Sequence, residues 1–314
     1  MHQFIPNSDI FTIDAQYHKP ELASIHLVRS NNSVAIIDSG TSHSMPQIKR
    51  ALHGLNLGFS HVEYIILTHI HLDHAGGASS LIAECEHAKL IVHPKGARHM
   101  VEPKKLIDGT IAVYGEKKFK QLYGTILPIA SDRIVQPRDG DTLDLDGRSL
   151  LFIDTPGHAN HHHCIIDKQT NSIFTGDTLG VAYRALRDGD LAFVAATTTP
   201  VQFNPDALHS SIDKVMSYQP DILYPTHYSA FKPSIKNIAG LHEQIDDFVM
   251  LTKQCSENTN FAAMLNEQIL DYLVIRCVNE LNNVDEKIAR DWLKLDAQLN
   301  AQGLVTWWNK NLYN

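Results

Sequence analysis

An apolar strand that runs straight into four metal-competent side chains constrains this chain more than any other feature. Residues 62–67 (VEYIIL) have the texture of a buried strand and lead directly into Thr68-His69-Ile70-His71-Leu72-Asp73-His74. Near a strand end, residues two apart point the same way, so His69 and His71 project into one site. Asp73 and His74 follow where the chain turns, and Gly76-Gly77 comes next. The strand before and the glycines after make an accidental polar loop a poor explanation.

Three more candidates share that setting. His158 closes Thr155-Pro156-Gly157-His158 after an apolar run at 150–153, and Asp177 sits in Thr175-Gly176-Asp177-Thr178 after another. His227 ends Tyr224-Pro225-Thr226-His227, after Asp221-Ile222-Leu223. Asp38 ends residues 33–38 (SVAIID), just before a Ser39-Gly40 turn. A lone histidine after a strand is usually no ligand. Together they matter, because α/β folds assemble their sites at strand ends along one edge of a sheet.

The rhythm of the first third is strand, turn, helix, strand: strands at 23–28, 33–38, 62–67 and 90–93, helices at 46–55 and 78–85. That is an α/β layered pattern. Residues 95–127 read as helix and loop over the site. Their lysines (Lys104, Lys105, Lys117, Lys118, Lys120) read as a solvated helix face rather than a phosphate patch. Asp146-Gly147 between residues 142–145 and 149–153 signals a hairpin, and a second hairpin pairs 164–167 with 172–175. From about 235 apolar residues recur at helical spacing, and a last helix opens at Asp285 and stops at Gly303. The expected organisation is a main domain at 1–234 and a helical extension at 235–314. The extension either packs against the main domain, walls a pocket or forms a homodimer interface.

Composition narrows the function. The 314 residues are 43% hydrophobic and 20% charged, enough to bury a sizeable core without staples. A net charge of -8 disfavours polyanionic partners, so no nucleic acid is expected. Cys85, Cys164, Cys255 and Cys277 are too widely spaced for a disulfide framework and read as free thiols. No signal-peptide pattern and no stretch near the roughly 20 apolar residues of a membrane span is present. The expectation is a cytoplasmic protein acting on a small molecule, away from membranes.

The order Asp38, HxHxDH, His158, Asp177, His227 resembles the motif pattern of the metallo-β-lactamase superfamily, over about residues 20–230. The resemblance implies an αββα sandwich with a dinuclear metal site at one edge. It implies that His69, His71 and His158 hold one metal, that Asp73, His74 and His227 hold the other, and that Asp177 bridges them. Asp38 would orient the HxHxDH loop without binding metal. The donors suit two divalent ions, zinc first, with iron or manganese also compatible. A metal-bound water of pKa about 7 would supply hydroxide as nucleophile, with Asp73 as the catalytic group steering the proton. His162, four residues after His158, takes the place of a supporting residue. Period-2 alternation puts His161 and His163 on the opposite face, in surface or packing roles. Tyr183, Arg184, Arg187, Phe193 and Thr197-Thr198-Thr199 are substrate-pocket candidates, because loops near a site set specificity.

The implied activity is hydrolysis of a small-molecule ester, thioester or lactone. The glyoxalase II branch resembles this chain in its C-terminal helices, yet its THHHxDHxGG motif meets Ile70 where the middle of its three consecutive histidines would stand. Phosphodiester cleavage, as in the nuclease branch, and an iron-dependent persulfide-type dioxygenase are the alternatives. Asp73-His74, without a signal peptide, does not resemble a periplasmic resistance enzyme that opens β-lactams.

Overall fold

The computed structural model describes residues 6–198, 201–228 and 230–312. Its contacts divide the chain into two compact units: Met1–Asp154 with His161–Phe174, and Thr155–Asn160 with Thr175–Asn314. Residues 235–312 therefore cluster with the loops that carry His158, Asp177 and His227.

The first unit holds a six-stranded sheet in the order β1 (Ile10–Asp14), β2 (Ser24–Ser30), β3 (Ser33–Ile37), β4 (Val62–Ile66), β5 (Lys89–Ile91) and β6 (Ile134–Val135). The first three strands are antiparallel; from β3 to β6 the pairing is parallel. The parallel strands read as continuous Ile/Val/Leu runs because both faces are covered, and Val34, Ile36, Ile37, Ile65 and Ile66 are fully buried. Among the described residues, six α-helices belong to this unit: α1 (Met45–Gly54), α2 (Leu72–Ala75), α3 (Ala78–Glu84), α4 (Pro94–Val101), α5 (Lys104–Tyr114) and α6 (Glu116–Tyr123). An antiparallel run follows: β7 (Thr142–Leu145), β8 (Arg148–Asp154), β9 (His163–Asp167) and β10 (Ser172–Gly176). Asp146 and Gly147 take φ of 48° and 89° between β7 and β8, as the favoured two-residue hairpin turn requires.

Strand β1 was not read from the sequence, because Ile-Phe-Thr-Ile-Asp is too short and too close to the terminus to stand out. The register of β3 and β4 fixes the site. Ile37 pairs with Ile66 in parallel, so the residues that follow, Asp38 on one strand and Leu67-Thr68 on the other, emerge side by side. The Asp38 amide donates to the Ile66 carbonyl at 2.8 Å.

The second unit contains a small hairpin, β11 (Arg187–Asp188) with β12 (Leu191–Ala192), then α7 (Pro205–Ser217), β13 (Ile222–Pro225), α8 (Ile235–Cys255), α9 (Phe261–Glu280) and α10 (Glu286–Leu312). Helix α7 starts where Asn204 caps it, accepting from the Ala207 amide at 3.0 Å. Ser234 caps α8 in the same way. Asp285 accepts from the Ile288 amide at 2.8 Å, as the sequence predicts for the last helix. That helix does not stop at Gly303. Glycine costs only about 1 kcal/mol in a helix interior; here Gly303 is buried on the packing face beside Leu304, and α10 runs on to Leu312. Packing has outweighed propensity.

All four cysteines are free and buried. No described helix is long and apolar enough to cross a membrane.

The most demanding polar contact in the first unit joins β8 to β9 and to the N-terminal strands. Arg148 is buried; its Nε and Nη2 donate to the two carboxylate oxygens of Asp167, at 3.0 and 2.5 Å. Its remaining N–H groups reach the carbonyls of Arg29 and Ser8. Removing one partner of such a pair leaves a buried, uncompensated charge. Arg148→Ala should therefore lose roughly 3–5 kcal/mol in urea unfolding. Lys104→Ala, which breaks an exposed pair with Asp108, should change it by about 0–1 kcal/mol.

Candidate metal centre

In the first unit the site is built at the end of β4. Asp38 has φ of 56°, a left-handed conformation that aspartate tolerates better than most residues. Its carboxylate turns into the HxHxDH loop and is fully buried. Oδ1 accepts from the Thr68 amide at 2.8 Å and both oxygens accept from the Thr68 hydroxyl. Oδ2 lies 2.8 Å from His74 Nδ1. A carboxylate there fixes the Nδ1–H tautomer and leaves the lone pair on Nε2.

The same reasoning sets His69. The Thr68 hydroxyl, with its proton given to Asp38, accepts from His69 Nδ1 at 3.2 Å. The His69 lone pair is thus on Nε2, which lies 2.8 Å from His71 Nδ1. Two imidazole nitrogens face each other this closely only when a proton or a cation lies between them.

In the second unit, His158 follows Gly157, whose φ is 129°. A Cβ at residue 157 would lie 2.4 Å from the Leu208 backbone, so only glycine lets the chain pass α7 here. The Thr197 hydroxyl donates to the Asp177 carbonyl at 3.0 Å and accepts from His158 Nδ1 at 3.0 Å. This again directs the ring's lone pair to Nε2. That Nε2 is 3.5 Å from Asp177 Oδ2, while His227 Nε2 is 3.8 Å from Asp177 Oδ1. Each oxygen of one carboxylate faces a different histidine, the arrangement a bridging ligand needs.

Among the described residues, the metal-competent donors of the first unit are His69, His71, Asp73 and His74, and those of the second unit are His158, Asp177 and His227. Imidazole nitrogens and carboxylate oxygens in this mixture fit zinc, iron or manganese.

The histidine run at 161–163 departs from expectation in one respect. His162 is buried and stacked on His69, with ring centroids 5.0 Å apart. His161, expected on the opposite face, also packs against His69 and His71, at 6.2 and 5.7 Å. Alternation fails because β9 begins only at His163; residues 161 and 162 are still in a turn. His163 does behave as packing: its Nε2 bonds the Leu67 carbonyl, its ring lies against Phe152, and burial pushes its pKa down to about 3.

Phe193 is fully buried. Tyr183 is buried too, and its hydroxyl donates to Asp296 at 2.9 Å. Thr199 lies outside the described residues. Asp296 was missed by sequence reasoning. Burial pushes its carboxyl up to about 6, against the pull of His227 and Tyr183. The available signal was a carboxylate and an amide, Asp296 and Asn300, at buried-stripe positions of α10. Tyr114 and Tyr123 were also missed. Burial and the charge of Asp73 raise both phenols, Tyr114 to about 12; the Tyr123 hydroxyl lies 3.0 Å from that of Tyr17.

A strand-end donor set of this kind on an α/β fold defines a class of metalloprotein. The metallo-β-lactamase superfamily model matches residues 18–227, and the chain belongs to that superfamily. It is 24% identical to a metallo-β-lactamase fold-containing protein of Sulfurisphaera tokodaii, over 69% of this chain and 76% of that one. A crystal structure of an archaeal superfamily protein from Sulfolobus tokodaii superposes with a TM-score of 0.64 at 23% identity, covering 96% of this chain and 99% of the other. The fold is therefore the αββα one, with a C-terminal helical region. A hydroxyacylglutathione hydrolase of Aeromonas hydrophila is 24% identical over 88% of this chain and 86% of its own. An acyl-coenzyme A thioesterase of Gallus gallus is 25% identical over 55% and 63%. Matches to three fungal lactamase-like proteins span only 37–42% of those proteins.

If the hydrogen bonds to Nδ1 orient the rings, removing them should weaken metal uptake without unfolding the chain. Thr197→Val and Asp38→Ala should each lower zinc affinity by about 10–100-fold, measured by competition with a chromophoric chelator. Wild-type affinity in both variants would show that neither contact orients a ligand.

Proposed function

We propose that the protein is a dinuclear metal-dependent hydrolase acting on a small-molecule thioester, ester or lactone. The observation that carries the proposal is the donor set within each unit: His69 Nε2 facing His71 Nδ1, with Asp73 and His74 beside them, in the first, and in the second Asp177 with one oxygen toward each of His158 and His227. Two divalent ions held there would polarise a carbonyl oxygen and lower the pKa of a water to about 7.

The chain's own residues supply the rest. Asp38 and Thr197 hold His74 and His158 as Nδ1–H tautomers, so their Nε2 atoms are ready as ligands. Asp73 is the carboxylate at the rim of the donor set, with 21% of its side chain exposed; it accepts a proton from the attacking water and passes it to the leaving group. The phenols of Tyr114 and Tyr123 feel the charge of Asp73 and stay protonated at neutral pH. They are neutral hydrogen-bond donors for an acyl group.

A thiol leaves readily because its pKa is only about 8.5. The relatives that are named as a hydroxyacylglutathione hydrolase and an acyl-coenzyme A thioesterase support a thioester as the first substrate class. The net charge of -8 argues against a polyanion such as RNA.

Elemental analysis with a thioester, ester and lactone panel tests the proposal. Wild type should carry two zinc per chain and hydrolyse at least one class. Asp177→Ala and His158→Ala should lose metal and nearly all turnover, and His161→Ala should lose far less. Full metal and wild-type turnover in Asp177→Ala would overturn the assignment. Iron with oxygen uptake would replace it with dioxygenase chemistry.

A further inference from the structure

Nineteen histidines are more than the metal centre uses, and two of the remainder sit in an arrangement that imidazoles alone do not favour. His209 on α7 and His242 on α8 lie edge to edge with nearly parallel planes, their ring centroids 4.9 Å apart and 8° between planes. Their Nδ1 atoms are 2.6 Å apart. On the far side of each ring, Nε2 meets a carboxylate from the other helix: His209 to Asp246 at 3.1 Å, His242 to Asp213 at 3.2 Å. The rings are about a quarter exposed (24% and 26%), so solvent and ions reach them.

Proton bookkeeping shows what the pair lacks. Each Nε2 facing a carboxylate carries a proton, so each neutral ring has its lone pair on Nδ1. Two lone pairs then point at one another across 2.6 Å. One shared proton relieves that repulsion and leaves the four groups with a net charge of about -1. A divalent cation relieves it more fully: it takes both lone pairs and cancels both carboxylates. The outer contacts are already those of a metal site, since a ligating histidine usually donates its other N–H to a carboxylate.

We propose that His209 and His242 form a further site for a divalent transition-metal ion, zinc in the first instance, bound through the two Nδ1 atoms. Asp246 and Asp213 orient the rings and water completes the coordination. With Zn–N bonds of about 2.0–2.1 Å, the two nitrogens need to stand roughly 3.3 Å apart. Small rotations of two partly exposed side chains on different helices supply that opening. The ion staples α7 to α8. Helix α7 packs its Leu208 against Gly157, next to His158, and α8 carries Gln244, which holds the segment around Thr197. The bound ion thus braces the two supports of one catalytic ligand.

Equilibrium dialysis against zinc near neutral pH, with elemental analysis, tests this in the full-length protein. Wild type should bind one more zinc per chain than His209→Ala or His242→Ala, whatever the catalytic centre holds, so failure here and failure of the hydrolase proposal are separable. Asp213→Asn and Asp246→Asn should retain the ion with about 10–100-fold weaker affinity. Zinc above the catalytic stoichiometry should raise the Tm of wild type and not of either histidine variant. Equal zinc counts in wild type and both histidine variants would overturn the site. So would an extra ion whose affinity is indifferent to Asp213 and Asp246.

Discussion

Asp38 brings a carboxylate into a fully buried position, and the loop it meets is shaped by what that charge demands. An ionised carboxylate in a low-dielectric interior is tolerable only when hydrogen bonds replace its water. Thr68 supplies its amide and hydroxyl and His74 supplies Nδ1–H. Meeting that demand fixes Thr68 against β3, sets the rotation and tautomer of His74 and, through the Thr68 hydroxyl, the tautomer of His69. The parallel pairing of Ile37 with Ile66 brings these groups together. A shift of this register would separate Asp38 from Thr68, so sheet pairing and metal chemistry are specified by the same contacts.

The second unit reaches the same end by a longer route. Thr197 does for His158 what Asp38 does for His74, but Thr197 lies in a segment with little regular structure. Side-chain amides hold it. Gln244 of α8 accepts from the Ala196 amide and donates to the Val194 carbonyl. Asn300 of α10 accepts from the Thr198 amide and donates to the Ala196 carbonyl. Each amide satisfies one donor and one acceptor of the buried backbone, as a neighbouring strand would. The C-terminal helices therefore do more than cover apolar surface: they hold a segment that could not otherwise be buried, and with it the orientation of a ligand.

The contrast explains what the sequence discloses. The HxHxDH loop, Asp38 and the strand-end histidines are legible because local spacing decides them: a short strand, a turn and a ligand within a few residues. The contributions of Asp296, Asn300 and Gln244 depend on long-range packing. Their only local trace is a polar residue on an otherwise apolar helical stripe, which also occurs for reasons unrelated to a site. Gly303 misleads because propensity is worth about 1 kcal/mol and burial of Leu304 and its neighbours is worth more. His161 misleads because alternation holds only inside a strand. The opposition of His209 and His242 joins residues 33 positions apart, and no periodicity announces it.

The basic residues at 104–120 bear on what the site can accept. Lys104 pairs with Asp108 and Lys120 with Glu116, both at helical spacing and both on the exposed face. Lys118 lies over the ring of Tyr114, 5.4 Å from its centroid. Three of the lysines that could have formed a phosphate clamp are thus engaged with side chains of α5 and α6 themselves. The groups of this region that sense Asp73 are phenols, held neutral by burial and by that negative charge. A phosphodiester carries its charge into the site and gains most from fixed cations in fork geometry. An acyl carbonyl is neutral and gains from a neutral donor without the penalty of desolvating a second charge. For the hydrolase proposed above, the electrostatics around Asp73 thus support an acyl group over a phosphodiester as the substrate to test first.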